Sequence, residues 1–172
     1  MAKIRKGVAY RKLERPYTRK SKYKSLSYVR SIPTSKVVRY DMGDLVKKFP
    51  HRVSLLSKAD IQIRHNAIES ARVACVRILE AKLGKGGFRF QIRMYPHHIL
   101  RENPLAAGAG ADRMSTGMQR SFGKCIGVAA QVHKGKDILV IDVEKQNLDV
   151  AKAALKSAGH KFACQTRIIQ NF

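Results

Sequence analysis

The first forty residues of the chain cannot fold by themselves in water. They carry thirteen Lys and Arg residues and a single acid, Glu14. A segment with that much charge of one sign buries too little apolar surface to offset the entropy lost when it becomes ordered. We therefore divide the chain into a basic arm, residues 1–35, and a single globular domain, residues 36–172.

Tyrosines distinguish this arm from an ordinary charged tail. Five of the six tyrosines in the chain lie in the first forty residues: Tyr10, Tyr17, Tyr23, Tyr28 and Tyr40. Phenol rings set among cations can stack on bases or ribose while Lys and Arg meet phosphates. The competing interpretation is a solvated arm that only keeps the protein soluble, but solubility does not require tyrosines.

We expect the arm to bind RNA. The arm residues predicted to do so are Lys3, Arg5, Lys6, Tyr10, Arg11, Lys12, Arg15, Tyr17, Arg19, Lys20, Lys22 and Lys24.

The whole chain shares this excess of positive charge. Its 172 residues include 35 Lys and Arg against 12 Asp and Glu, a formal net charge of +23. A compact body with that charge repels itself unless a polyanion neutralises it, so nucleic acid is the leading partner. No apolar stretch is long enough to span a bilayer, and the basic start is not followed by the apolar run of a signal peptide. We expect a cytoplasmic protein with no membrane partner.

A glycine-rich stretch in the middle of the domain fits neither a helix nor a strand. Residues 106–128 read AAGAGADRMSTGMQRSFGKCIGV, with glycines every few residues. The polar side chains offer hydrogen bonds to phosphate and ribose, and the interleaved Met114, Met118 and Phe122 can adapt to irregular grooves. Loops of this length are usually functional or disordered, and a mobile surface linker is the alternative. We predict a functional loop over 104–125.

The remaining segments have the periodicities of helices and strands. Apolar residues at helical spacing predict amphipathic helices over 64–83, ended by Gly84, and over 148–158, capped by Asn147 and closed by Gly159. Strands are predicted over 36–40, 52–57, 88–95, 126–132, 138–143 and 162–169, with a turn at 133–136. Two helices packed on these strands predict an α+β fold, a two-layer α/β sandwich with a mixed, largely antiparallel sheet.

The strand over 88–95, FRFQIRMY, alternates between apolar and polar residues. Its apolar side chains point to the core, and Arg89 and Arg93 point outward, where they could bind RNA as well as water. Pro96 ends the strand, and His98 and Arg101 follow before the loop. Two adjacent histidines cannot both face one metal from a strand, so hydrogen bonding or RNA contact is favoured over a zinc site. We expect Arg89, Arg93, His98 and Arg101 to bind RNA.

No pattern typical of catalysis or metal binding emerges. Cys75, Cys125 and Cys164 are widely spaced, with no CxxC pair, which indicates neither a disulfide framework nor a zinc site. Cys75 and Cys164 are interpreted as small core residues. The acids are few and scattered, and the GKGG sequence at 84–87 follows a helix, whereas a phosphate-binding loop precedes one. We expect no catalytic residue, no metal, no cofactor and no small-molecule substrate.

Two long, irregular segments make a family resemblance specific. FRFQIRMYPHHILREN and AGADRMSTGMQRSFGK resemble the large-subunit ribosomal protein family called L-ten-e in archaea and eukaryotes, the counterpart of bacterial ribosomal protein L-sixteen. The similarity covers the whole chain, including the basic start and the helix that ends in GKGGF. Cys125 stands where many members have proline. The chain ends at Phe172, whereas eukaryotic relatives continue, which favours an archaeal member.

The resemblance implies a structural constituent of the large ribosomal subunit that acts in translation. Its partners would be large-subunit rRNA near the aminoacyl-tRNA site, five-S RNA, tRNA and neighbouring ribosomal proteins. It also implies that the loop reaches toward the peptidyl transferase centre and tRNA. The matching loop residues are Ala111, Asp112, Arg113, Met114, Thr116, Gly117, Met118, Arg120, Phe122, Gly123 and Lys124.

Two alternatives come from other functional classes. The first is an RNA-modifying enzyme whose glycine-rich loop is an active-site lid, with Asp112 as the acid of the loop. The second is a nucleic-acid-packaging protein that binds duplexes through the backbone alone.

Overall fold

The structure, a computed structural model, describes residues 4–103 and 117–171. Within these ranges the chain forms two α-helices and eight β-strands, which confirms the predicted α+β fold. In chain order they are β1 Asp41–Gly43, β2 His51–Ser57, β3 Ile61–Arg64, α1 His65–Leu83, β4 Phe88–Ile92, β5 His98–Glu102, β6 Lys124–Val132, β7 Asp137–Val143, α2 Leu148–Gly159 and β8 Thr166–Asn171. Neither helix is long and apolar enough to cross a membrane.

The eight strands divide between two sheets. One sheet has five strands in the order β1-β4-β7-β2-β8, and the other has three in the order β3-β6-β5. Every pairing between these strands is antiparallel. The sequence predicted a single sheet. The difference arises because β6 and β7, although joined by the predicted turn at 133–136, pair with different partners, so the chain changes sheets at that turn.

Both helices contribute to one core, which is shared by the five-stranded sheet and by strands β3 and β6 of the three-stranded sheet. The buried stripe of α1 includes Ile68, Ala71, Cys75 and Leu79, at the predicted helical spacing. Phe88 and Phe90 of β4 are 1% and 0% exposed and belong to the same core cluster. Burial raises the pKa of the Cys75 thiol to about 12, so this thiol stays protonated and packs as a small apolar group. Cys164 is only partly buried against this core.

Several predicted boundaries are wrong. Residues 36–40 are irregular, and the strand that joins β4 comes directly after them as β1. The strand over 88–95 ends at Ile92, and the last strand begins only at Thr166. Strand β3 was missed because four residues are too few to establish an alternation, and β5 was missed because its first three residues are all buried and do not alternate.

Asn147 and Gly159, which were predicted to cap and to close α2, differ from that prediction in the structure. The Asn147 side chain makes no capping hydrogen bond. Gly159 is the last residue of the helix, and a Cβ there would lie 2.9 Å from the Thr166 hydroxyl oxygen. The glycine therefore allows the helix to approach β8 closely. Gly84, by contrast, has φ 69° and ends α1 as predicted.

Gly43→Ala tests the approach of β1 to β4. Gly43 has φ +87°, and an added Cβ would lie 2.1 Å from the Phe88 carbonyl oxygen, which accepts a hydrogen bond from the Asp44 N–H. We expect a loss of at least about 2 kcal/mol in the free energy of unfolding, because strain and a disturbed hydrogen bond add together. Denaturant unfolding of the full chain measures it.

The matched control is Gly135→Ala. Gly135 also has positive φ, +81°, but a Cβ there meets no atom within 4 Å. Only the backbone conformation is then penalised, by about 1 kcal/mol. Equal losses for the two variants would contradict the close approach of β1 and β4.

Candidate nucleic-acid interface

The basic arm is packed along the three-stranded sheet. The Tyr10 ring is buried in a cluster with Leu100 and Ala129. The Tyr17 ring is buried in a second cluster with Val29 and Ile99. These two side chains, which the sequence assigned to RNA, are 7% and 9% exposed, so most of their surface contacts protein.

Side-chain amides on the sheet hold the backbone of the arm. The Gln62 side-chain amide donates to the Tyr10 carbonyl oxygen at 3.1 Å. The backbone N–H of Gln62 donates to the Arg11 carbonyl oxygen at 3.0 Å. The Gln131 side chain donates to the Glu14 carbonyl over 2.7 Å. These bonds satisfy polar groups in a part of the arm that has no regular partner strand.

His98 fixes the next part of the arm. Its Nδ1 accepts a hydrogen bond from the Tyr17 N–H at 2.9 Å, and the Ile99 N–H donates to the Tyr17 carbonyl at 3.3 Å. The His98 side chain is 5% exposed, and burial lowers its pKa, so the imidazole is neutral at pH 7 and able to accept this bond. The structure thus places this predicted RNA contact inside the protein, as part of the attachment of the arm.

Glu102 anchors the start of the described arm. Its Oε1 accepts a 2.6 Å hydrogen bond from the Tyr10 hydroxyl, and its Oε2 lies 2.8 Å from Nε of Arg5. The Arg5 N–H in turn donates to the Tyr10 hydroxyl at 3.0 Å. Glu102 is 8% exposed, and its carboxylate is satisfied by these two groups. Burial, followed by the hydrogen bond to Glu102, raises the pKa of Tyr10.

Four arginines meet in a pocket between the arm and the end of the glycine-rich loop. We call it the arginine pocket. It has a volume of about 600 Å³ and is lined by Arg15, Pro16, Tyr17, Thr18, Arg19, Tyr28, Arg101 and Arg120. None of these lining residues is acidic. A pocket with four guanidinium groups and no carboxylate attracts anions, and guanidinium forks match the geometry of phosphate.

Tyrosine rings, rather than carboxylates, position two of these arginines. Cζ of Arg19 lies 4.9 Å from the ring centroid of Tyr28, and Cζ of Arg101 lies 3.6 Å from that of Tyr17. The two rings stack with centroids 6.2 Å apart and an angle of 19° between their planes. Cation–π contacts hold the guanidinium groups without neutralising their charge. The positive charge of the pocket therefore remains available to a ligand.

Arg101 also holds the end of the loop. Its Nη1 donates to the carbonyl oxygens of Arg120 at 2.9 Å and Phe122 at 2.8 Å. Arg120 has φ 44°, a left-handed conformation that is unfavourable for a residue with a side chain. The bonds from Arg101 stabilise this turn, so one side chain connects β5, the arm and the loop.

The other predicted site residues are distributed as follows. The arm cations Arg5, Lys6, Arg11, Lys12, Arg15, Arg19, Lys20, Lys22 and Lys24 are all exposed. The loop residues Gly117, Met118, Arg120, Phe122 and Lys124 are exposed, and Gly123 is half-buried. Lys3, Ala111, Asp112, Arg113, Met114 and Thr116 lie outside the described residues, so their roles stay predictions.

Arg89 and Arg93 lie away from the arginine pocket. Arg89 belongs to β4 of the five-stranded sheet, where it stands opposite Asp142 of β7. Asp142 also forms an ion pair with Arg52, with Nε and Oδ1 2.8 Å apart. Arg93 follows β4 and is exposed. The sequence placed these arginines and Arg101 in one group, but Arg89 belongs to the five-stranded sheet, Arg93 follows β4, and Arg101 belongs to β5 of the three-stranded sheet.

The sequence did not single out Tyr28 as a site residue, although it lies in the tyrosine-rich arm. In the ranges 4–103 and 117–171, no group of three or more His, Cys, Asp or Glu side chains could hold a metal ion. The arginines and tyrosine rings of the arginine pocket make it the candidate anion-binding surface.

Comparison with known proteins shows that this chain is similar to members of one protein family. The profile of the family described as ribosomal protein L16p/L10e matches residues 13–169. A large ribosomal subunit protein uL16 of Methanococcus maripaludis strain S2 is 47% identical over 167 residues, which cover 96% of this chain and 93% of that protein. The uL16 protein of Methanocella arvoryzae is 43% identical over 164 residues, 95% of this chain and 92% of that protein. That of Methanosphaerula palustris is 40% identical over 164 residues, with 95% and 91% covered.

Glu102→Ala tests the attachment of the arm. The substitution leaves the buried Tyr10 hydroxyl without its acceptor and Arg5 without its partner. We expect the free energy of unfolding to fall by about 2 kcal/mol, and amide hydrogen exchange in residues 5–12 to accelerate. Exchange measured by mass spectrometry on the full chain reads out both the arm and the domain.

Glu144→Ala is the control for removing a carboxylate. Glu144 pairs with Lys47 at 2.7 Å, but both side chains are nearly half exposed. Its loss should change stability by less than about 1 kcal/mol and leave exchange in the arm unchanged. If Glu102→Ala leaves the arm as protected as Glu144→Ala does, the anchoring role of Glu102 is wrong.

Proposed function

The chain belongs to the ribosomal protein L16p/L10e family, and we propose that it is a structural constituent of the large ribosomal subunit, where it binds rRNA and acts in translation. It holds RNA and catalyses no reaction. The family membership favours this role over an RNA-modifying enzyme or a general packaging protein. The residues of the arginine pocket are suited to phosphates rather than to a reacting group.

The arginine pocket is the observation that best supports rRNA binding. Its guanidinium groups come from the arm, from β5 and from the end of the loop. Tyr17 and Tyr28 hold two of them, so little side-chain entropy remains to be lost when a phosphate binds. Exposed cations along the arm continue the same positive surface. We propose that this surface follows the rRNA backbone.

We further propose that the protein lies near the aminoacyl-tRNA site and five-S RNA, with the loop directed toward the peptidyl transferase centre and tRNA. The support is the family resemblance of the loop sequence, together with the way that Arg101 fixes the end of the loop. Met118 and Phe122 are 39% and 38% exposed beside that fixed turn. Adaptable apolar side chains on a fixed base suit contact with an irregular RNA surface.

Replacing two pocket arginines tests rRNA binding. In an Arg19→Gln, Arg120→Gln double variant, two phosphate contacts should be lost. Large subunits depleted of this chain and rebuilt with the variant should release it at lower salt. The slope of log affinity against log salt should fall by about 2, one for each lost contact. Sedimentation of the rebuilt subunits across a salt series measures it.

An Arg77→Gln, Lys82→Gln double variant is the charge-matched control. Both residues are exposed on α1, away from the pocket. This variant should lose less of the salt dependence than the pocket variant does. Equal slopes would show that the arginine pocket is no more important for rRNA binding than any other basic surface.

Deleting residues 108–116 tests the proposed role toward tRNA separately. The variant keeps all the lining residues of the arginine pocket and the contacts of the arm with Glu102 and His98, so the chain should still join the subunit at unchanged salt. Binding of aminoacyl-tRNA to the rebuilt subunits, in ribosomes programmed with messenger RNA, should fall at least several-fold. Normal tRNA binding and peptide synthesis would contradict the proposal for the loop and leave the proposal for rRNA intact.

A further inference from the structure

The sixth tyrosine of the chain, Tyr95, contacts two other aromatic rings. Tyr95 follows β4, and its side chain is 53% exposed. Its ring lies 5.3 Å from the ring of Tyr40, with 25° between the planes. The ring centroid of His97 lies 4.6 Å from that of Tyr95, with an angle of 47° between the two ring planes. We call these three rings the aromatic platform.

The platform is built on a fixed base. Tyr40 packs against the main hydrophobic core, and its carbonyl accepts a 2.8 Å hydrogen bond from the Ile92 N–H. Met94, next to Tyr95 in the chain, is 7% exposed and anchors the segment in the core. The His97 N–H donates to the Tyr95 carbonyl at 3.0 Å. These contacts define where the Tyr95 ring lies before any ligand binds.

The charge around the platform favours a nucleic-acid strand. Arg39 precedes Tyr40, Arg93 lies two residues before Tyr95, and both side chains are exposed. Asp41, which follows Tyr40, is also exposed and stands opposite Gln91 of β4. The two arginines outnumber this acid, so the net charge of these three side chains is positive. An exposed ring beside cations is the arrangement on which unpaired bases stack while their phosphates are neutralised.

We propose that the aromatic platform is a stacking site for one unpaired RNA base, with Tyr95 in contact with the base and Arg39 and Arg93 in contact with the flanking phosphates. This inference rests on the proposed function as an RNA-binding protein. It adds a second RNA contact, beside the end of β4, to the one at the arginine pocket. The RNA would therefore contact the protein at two separate places.

A single-stranded RNA of eight nucleotides with one central 2-aminopurine is the probe. Titration with the full chain at low salt should quench the fluorescence, because stacking on an aromatic ring quenches this base. Tyr95→Phe should bind within twofold of the unchanged protein, since the ring face is retained. Tyr95→Leu should bind about tenfold or more weakly and lose the quenching, because leucine still covers Tyr40 but has no planar face.

Leu45→Ala is the matched control. Leu45 is 55% exposed, close to the exposure of Tyr95, and its side chain has no planar face on which a base could stack. Its loss should change affinity by no more than twofold. If Tyr95→Leu behaves like Leu45→Ala, the stacking site is wrong. A probe of the same length that has no base at any position should bind all variants equally, and continued sensitivity to Tyr95→Leu would also overturn base stacking.

The same titration separates this inference from the proposed function. If the unchanged protein binds the probe with a steep salt dependence, while position 95 has no effect, only the platform fails. If the unchanged protein does not bind the probe at low salt, RNA binding itself fails, and the platform fails with it. Thermal unfolding of each variant checks that the variants are folded.

Discussion

The structure depends on holding a basic arm against a domain that is itself basic. Apart from the pair of Arg5 with Glu102, the attachment described above does not use ion pairs, and the chain as a whole has 35 cationic side chains and only 12 acids. Instead, Tyr10 and Tyr17 bury their rings, and uncharged amides of Gln62 and Gln131 bind the backbone. The hydrophobic effect and neutral hydrogen bonds are insensitive to the sign of the surrounding charge. The cations of the arm are therefore left free to point outward.

The same principle operates within the arginine pocket. A carboxylate would position an arginine but cancel its charge, whereas a tyrosine ring positions it and leaves the charge in place. Arg101 shows the consequence, since it stacks on Tyr17 and still donates to two carbonyl groups of the loop. The one well-buried carboxylate of this region, Glu102, lies on the anchoring side with Tyr10 and Arg5. The carboxylate thus anchors the arm, whereas the tyrosine rings position the arginines of the pocket.

The sequence predicted those parts of the fold that local periodicity determines. The stripe of α1 and the alternation of β4 were correct because each is set by burial of one face. The division into two sheets was missed, because it depends on which distant strands β6 and β7 pair with. His98 was assigned to RNA because a polar residue beside a basic strand carries no signal of burial. The excess of Lys and Arg predicted a nucleic-acid partner. It could not show that Arg15 and Arg120, more than a hundred residues apart in the chain, line the same pocket.

The attachment of the arm has a consequence for the order in which the protein is made. The arm is synthesised first, but its partners come later, since Tyr10 packs on Leu100 and Ala129 and Tyr17 packs on Ile99 and Val128. More than a hundred residues must follow Tyr17 before its cluster is complete. During that interval the nascent chain presents an undocked polycation on a machine made largely of RNA. The arm therefore cannot be fully attached to the domain before β6 has been made.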